Sequence, residues 1–330
     1  RVRFKINSLS RMMLQTKIFN FLLATFLSYI FIYSIPWHDF HYFHDFEVYK
    51  IRVMQLFSNT DIQDESFGIF LLFSELLWTQ ILQILPIYFY DISAGLTFIS
   101  FTTLIVYMYF TITRVNFVLS FILLFNPIFI DLIISQVRIG VSFSLLLVAY
   151  SLRKTIIIPI MLIVCATLIH TATLLLLAIF LGLYFLKSFL NDNKKYFKGA
   201  LILPMFIMLF IQVALLTIFD FFGDAERSVY ITNPIYSSIF FTIPWFFFSF
   251  MIAILPKNSL IDDNIDFVAY AICMGSLFLF SSFFEFYGSR FVAVSFPLFI
   301  ISINCLSNQF RYPMFVILFL YQLTYFNYWL

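Results

Sequence analysis

Charge is what this chain has least of. Asp, Glu, Lys and Arg make up 11% of its 330 residues, where an ordinary soluble domain carries about a quarter, and that shortfall excludes the soluble class. Cysteine is scarce as well. Cys165, Cys273 and Cys305 all lie in apolar segments, so they offer neither a disulfide framework nor zinc-ligand spacing and leave the redox compartment open. The first apolar run reaches Pro36-Trp37 without a small-residue cleavage site, so no cleavable signal peptide is expected. The opening Arg1-Val2-Arg3 lacks an initiator methionine and points to a trimmed N-terminus. No repeat of useful length is present, although His38-Asp39-Phe40 recurs as His44-Asp45-Phe46. A net charge of +2 asks for no polyanionic partner, and nucleic acid is not expected.

Hydrophobic residues supply 62% of the chain and aromatic ones 22%. A hydrocarbon core about 30 Å thick takes roughly twenty apolar residues per helical crossing. The apolar runs therefore predict an all-α polytopic membrane protein with about eleven or twelve transmembrane or re-entrant helices, as one integral membrane domain over residues 1–330. Arg1, Arg3, Lys5, Arg11 and Lys17 precede the first run, 18–36, which puts the N-terminus in the cytoplasm. Residues 37–66 then form an outer loop and 221–236 a second one. Further runs cover 67–87, 95–113, 116–134, 136–152, 155–169, 171–187, 199–220, 237–255, 267–284, 291–306 and 313–329. Cationic turns at Arg153-Lys154, 187–198, Lys257 and Arg311 alternate with turns at 170, 221–236 and 285–290 in a consistent inside/outside register. In the N-terminal half five runs join two regions that both read as cytoplasmic, so one run must be re-entrant or broken. The first candidate is 67–87, with Glu75, Gln80 and Gln83; the second is 116–134, with Asn126-Pro127 and Asp131. Irregular backbone at membrane depth survives only where it is buried in protein or lines a wet cavity, so either choice places a cavity near these residues.

Arg138 and His170 stand inside long apolar tracts. Counted from the turn Arg153-Lys154-Thr155, each is fifteen residues away. On an antiparallel hairpin both lie about 22 Å from the turn, at one depth. An arginine in an apolar run costs about 2.5 to 3.5 kcal/mol on insertion scales and needs an anion. Asp131 or Glu75 could pair with it, or the planar guanidinium could bind a phosphate or diphosphate. His170 is either a hydrogen-bonded structural group or a general base, since its ordinary pKa lies nearest neutrality. Gly140, Ser142 and Ser144 read as packing positions for a neighbouring helix. In the outer loops Asp39, Asp45, Glu47, Asp61, Asp64 and Glu65 are possible proton acceptors. His38, His41 and His44 with Asp39 have metal-like spacing, but no metal and no cofactor is expected. Arg227 with Tyr230, and Tyr287 with Glu285 and Arg290, set cations beside the mouth of a membrane cavity.

Asn126-Pro127, then Gln136-Val137-Arg138-Ile139-Gly140 opening an apolar run, then Leu168-Ile169-His170, resembles the EpsG-like family of bacterial polysaccharide polymerases. The outer loop ending Asp64-Glu65-Ser66-Phe67-Gly68 carries the same likeness, with a fainter echo at Arg290. Within that group the chain looks like a Wzy-type O-antigen polymerase. The family usually has Gln directly after the arginine; here Ile139 stands there and Gln136 lies upstream. The resemblance implies a C-type glycosyltransferase architecture in the bacterial inner membrane, working at the periplasmic face. It implies transfer of a growing glycan from undecaprenyl diphosphate onto the non-reducing end of a lipid-linked oligosaccharide repeat unit, with a chain-length regulator as partner. On that reading His170, Asp45 and Glu65 are the catalytic candidates, while Arg138, Arg290, Arg227, Tyr230, Tyr287, Gln136 and Glu75 hold diphosphate and sugar. A lipid-linked oligosaccharide flippase would instead show repeated halves, and a membrane glycan acyltransferase would want a cytoplasmic or midplane site for its acyl donor.

Overall fold

A backbone that meets lipid must satisfy its own hydrogen bonds, and an α-helix does so within one segment. The computed structural model describes residues 2–40, 42–57, 75–190, 192–222, 238–258, 262–284 and 288–329. Among them every regular element is a helix, apart from one isolated antiparallel bridge between Lys257 and Leu306. Two compact units divide the chain, residues 1–174 with 323–330 and residues 175–322.

The first unit is built from α1 (Val2–Tyr33), α2 (Trp37–Phe40), α3 (His44–Phe57), α4 (Leu76–Tyr88), α5 (Ile92–Ile112), α6 (Phe117–Ser120), a 3₁₀ turn (Phe121–Phe125), α7 (Pro127–Ile134), α8 (Val137–Ser151) and α9 (Ile157–Ile169). In α1, Ala24, Leu27, Ser28 and Phe31 are buried at helical spacing while Phe19, Leu22 and Phe26 are exposed. Beside that stripe, the half-exposed Phe21 and Tyr29 reach α5 through Phe21–Tyr109 and Tyr29–Phe101 ring contacts at 6.1 and 6.4 Å. Large apolar side chains turned outward along a whole helix face suit lipid and not water. Tyr107 of α5 sits against Phe129 of α7 and Phe143 of α8 at 5.3 and 6.2 Å. Because lipid is as apolar as leucine, such helices associate by close packing and not by burial from water. Gly140 serves that packing: a Cβ there would stand 3.2 Å from the Leu132 carbonyl oxygen, so α7 could not approach α8 as closely.

The second unit holds most of α10 (Ala172–Phe189), α11 (Asn193–Phe222), α12 (Ile239–Ile254), α13 (Asp262–Phe283), α14 (Ser289–Asn304) and most of α15 (Asn308–Trp329). Its centre is α13, packed by α12, α11 and α14. A Cβ at Gly275 would come within 2.9 Å of the Trp245 carbonyl oxygen and 2.6 Å of Phe299. Lys187 of α10 and Asp266 of α13 pair at 2.7 Å.

Residues 15–39, 92–112, 172–189 and 264–283 form helices long and apolar enough to cross a membrane, and the chain is a membrane protein. Against the expected eleven or twelve transmembrane or re-entrant helices, the described residues hold four such helices, or five if a bent pair counts as one span, and five shorter apolar ones. Apolar length in the sequence does not translate into straight helix. α4, α8, α9, α12 and α14 have only 13 to 16 residues, about 20 to 24 Å at 1.5 Å per residue, shorter than a hydrocarbon core. The 116–134 run is the bent pair, turning by 77° at Asn126. Asn126 accepts a hydrogen bond from the Phe129 N–H at 3.1 Å and Pro127 occupies the first helical position, a strong start signal for a new helix. In 67–87 only residues from Glu75 onward are described, and α4 is too short to span.

Candidate functional site

The α8–α9 hairpin turns through residues 152–156, where the Thr155 N–H donates to the Leu152 carbonyl at 2.9 Å. Arg138 is the second residue of α8, and His170 is the C-cap of α9. Antiparallel pairing therefore delivers both to one end of the hairpin. His170 ends α9 by adopting extended backbone, φ −151° and ψ 118°, with neither glycine nor proline to do it. The Ala166 carbonyl thus exposed takes the His170 N–H at 3.0 Å and the Thr173 hydroxyl at 3.2 Å, which satisfies a helix-end acceptor that would otherwise be orphaned.

Glu75 joins the two side chains. One carboxylate oxygen pairs with the Arg138 guanidinium, and the other lies 2.6 Å from His170 Nδ1. Glu75 and His170 are 6% and 7% exposed, and the Arg138 side chain 23%, so all three have left bulk solvent. Arg138 stands at the start of α8, where the helix macrodipole is positive and disfavours a cation; the Glu75 carboxylate offsets that. A carboxylate only accepts hydrogen bonds, so the proton between it and the imidazole belongs on Nδ1, and Nε2 becomes the basic nitrogen of His170. Glu75 reaches this position as the residue before α4, with φ 54° and ψ 44°. It is the one non-glycine residue with positive φ among those described, a left-handed conformation costing a β-carbon residue about 1 to 2 kcal/mol. Strain of this kind persists where surrounding contacts overdetermine it.

Around the cluster, α3 contributes two residues one turn apart. The Tyr49 ring centre lies 5.9 Å from the Arg138 guanidinium carbon, and Asp45, half-buried, acts on the same cation electrostatically. Trp78 of α4 is fully buried and meets Tyr49 edge-on at 5.2 Å. Its indole N–H has no hydrogen-bond partner among the described residues. Gln136, buried, donates its side-chain amide to Asp131 at 2.6 Å. Of the two acids that could pair with Arg138, Glu75 is the one that forms the ion pair, while Asp131 takes the Gln136 amide.

Arg138, His170 and Glu75 thus meet directly, with Asp45 within electrostatic reach. Arg290 lies in the second unit as the second residue of α14 and is half-buried, the same helix position that Arg138 holds in α8. Glu65, Arg227, Tyr230 and Tyr287 lie outside the described residues, as do His41, Asp61, Asp64 and Glu285. His38 packs on Phe43 and Phe46 at 5.3 and 4.5 Å, and no group of three or more His, Cys, Asp or Glu among the described residues is arranged to hold a metal ion. Tyr49 and Trp78 escaped sequence reasoning. The signal for Tyr49 was its i, i+4 spacing from Asp45, which sets both on one helix face; Trp78 looked like any apolar core residue. Comparison with protein-family models, with curated proteins and with solved structures finds no match to this chain.

Proposed function

We propose that the chain is a polytopic glycosyltransferase of the O-antigen polymerase type. It would move a growing glycan from undecaprenyl diphosphate onto the non-reducing end of a lipid-linked oligosaccharide repeat unit at the periplasmic face of the bacterial inner membrane. The observation that carries the reading is the Glu75 carboxylate bridging the Arg138 guanidinium and the His170 imidazole inside a membrane protein. Displacing a sugar from a lipid diphosphate breaks the anomeric C–O bond and leaves growing negative charge on the diphosphate. A guanidinium held in a poorly solvated site stabilises that charge without reorganising, and its planar fork matches phosphate oxygens. The acceptor hydroxyl forms the new C–O bond and yields its proton to His170 Nε2, while Glu75 orients the ring and stabilises the imidazolium, as the carboxylate of a Ser-His-Asp triad does. Asp45, which acts electrostatically on Arg138, is the second candidate for the acid–base work.

Purified protein with a defined lipid-linked repeat unit and no nucleotide sugar is expected to give a ladder of polymer on a gel. Arg138→Ala and His170→Ala, at normal protein level, are expected to give none. A wild-type protein that makes no ladder, or an Arg138→Ala protein that makes full-length polymer, removes the proposal; flippase or acyltransferase activity would then be assayed in its place.

A further inference from the structure

The first unit has a second polar feature apart from the Glu75 cluster. A half-open cavity of about 260 Å³ lies under the α1–α2 turn, lined among others by Pro36, Trp37, His38, Asp39, Thr97 and Ser100. The Ser100 hydroxyl is the telling group. Its residue is 2% exposed, it sits mid-helix in α5, and its oxygen has no hydrogen-bond partner among the described residues. Thr111 and Ser142, also buried, bond a carbonyl one turn back; Ser100 does not, and of the buried serines left unbonded among the described residues it is the one that lines this cavity. A buried hydroxyl left unbonded is costly, so an occupant that is pure hydrocarbon would perpetuate the cost, whereas one that carries hydroxyls would remove it.

The rest of the lining fits a hydroxylated ring. Trp37 is held rigidly: its indole N–H donates to the Phe31 carbonyl at 2.8 Å and its ring packs on Phe31 at 4.7 Å. That leaves no adjustment for the aromatic wall, which with Pro36 forms an apolar platform. Asp39 and His38 stand at the exposed rim and supply a carboxylate acceptor and an imidazole for hydroxyl groups. The volume is near the lower end of ligand pockets, about 300 to 1,000 Å³, which suits one ring and not a long isoprenoid chain. The cavity also shares its elements with the Arg138 site. α3 turns Phe46 into the cavity and Tyr49 toward Arg138. Ile134, four residues before Arg138, lines it too. α5 lines it with Ser100, and Thr103 on the same helix lies beside Gly140 of α8.

We infer that this cavity is a pyranose-binding subsite, in which Ser100 and Asp39 hydrogen-bond ring hydroxyls and Trp37 provides the flat wall. That the bound ring is a repeat-unit sugar rests on the polymerase reading; that the cavity binds a pyranose does not. The test is saturation-transfer NMR on the full-length protein in lipid nanodiscs, with methyl glycopyranosides as probes and farnesol as the hydrocarbon comparison. Wild type is expected to saturate at least one glycoside. Ser100→Ala, which removes the hydroxyl and adds no bulk to the cavity, is expected to cut the transfer at least five-fold. Asp39→Asn, at an exposed position where folding is not at risk, is expected to cut it at least three-fold. Wild-type transfer no greater than that of the Ser100→Ala protein, or farnesol displacing the glycoside with the same dependence on Ser100, overturns the assignment. Glycoside binding without a polymer ladder leaves the subsite standing and ends the polymerase reading; a ladder without glycoside binding does the reverse.

Discussion

Replacing Glu75 by glutamine keeps the shape and removes the charge, and it separates an ion-paired cluster from three polar side chains that merely touch. In the wild type the carboxylate accepts from both Arg138 and His170. A hydrogen bond to a charged acceptor contributes about 1.5 to 3 kcal/mol and a neutral one about 0.5 to 1.5, so neutralising the acceptor loses about 1 kcal/mol at each bond. The cation left behind adds to this. Breaking a buried pair by removing one partner costs about 3 to 5 kcal/mol, and because the Arg138 side chain is 23% exposed water recovers part of it. The expected destabilisation is about 3 kcal/mol, the low end of that range. In an Arg138→Met background the same substitution neutralises a carboxylate still held by His170 and is expected to cost only about 1 kcal/mol or less. Unfolding in mixed micelles, followed by denaturant titration for wild type, both single variants and the double, gives the cycle. A coupling of about 2 to 3 kcal/mol is expected, the upper part of the range for residues in direct contact. Additivity within about 0.5 kcal/mol, the behaviour of independent sites, would refute the claim that Glu75 is the counter-ion of Arg138.

Other consequences are simpler. Asn126→Ala removes the acceptor for the Phe129 N–H and is expected to cost about 1 kcal/mol, read in the same titration; an unchanged midpoint would mean that the 77° bend does not depend on its cap. Gly275→Ala forces a methyl against the Trp245 carbonyl and Phe299, and overpacking of this kind costs about 1 to 3 kcal/mol; a fully stable variant would show that α12 and α14 can move apart. Burial pushes the Lys257 amine down from its ordinary 10.5 to about 8, in a turn where it donates to the Leu255 carbonyl at 3.1 Å and lies over the Phe197 ring. With the folded value below the unfolded one, the unfolded chain binds the extra proton between those limits. The Lys257 contribution therefore opposes folding below about pH 8 and fades as pH rises toward 10.5. Amine-reactive labelling read by mass spectrometry is expected to show Lys257 gaining reactivity near pH 8, ahead of the surface lysines; a rise together with them would contradict its burial.

Where hydrophobic runs were long and bounded by charge, the helices are where the sequence puts them. The runs 136–152, 155–169 and 171–187 correspond to α8, α9 and α10 within about two residues, and the equal arms about Arg153-Lys154-Thr155 set Arg138 and His170 at one hairpin end. Fewer of the runs are straight helices of spanning length among the described residues, because apolar composition measures compatibility with lipid and not straight length. Asn126-Pro127 bends one run through local capping chemistry, while α4 begins at Glu75 through a left-handed residue that carries no sequence mark. Glu75 itself was legible only as one of two acids that could answer Arg138. Choosing between them needed tertiary structure, since 63 residues separate Glu75 from Arg138 and no local pattern spans that distance. The Gln136–Asp131 hydrogen bond is local, five residues apart, and it is what turns Asp131 away from the more distant problem.

Several departures from local preference meet at one place. Glu75 adopts a backbone conformation that glycine would fill without strain; Arg138 sets a cation at the positive end of a helix; His170 stops a helix with no breaker residue. Natural sequences are locally consistent elsewhere, and exceptions gather where a site demands them. In this protein each exception is made tolerable by another. The strained turn at Glu75 delivers the carboxylate that stabilises Arg138, and the same carboxylate holds the imidazole that the broken helix presents. An ion pair kept only for stability would have been served as well by apolar side chains of equal volume, which are often neutral or better in a buried position. The proposed chemistry on a charged substrate rests on three ionisable groups held together at such local cost, and the Glu75–Arg138 cycle tests the interaction from which the other two contacts take their support.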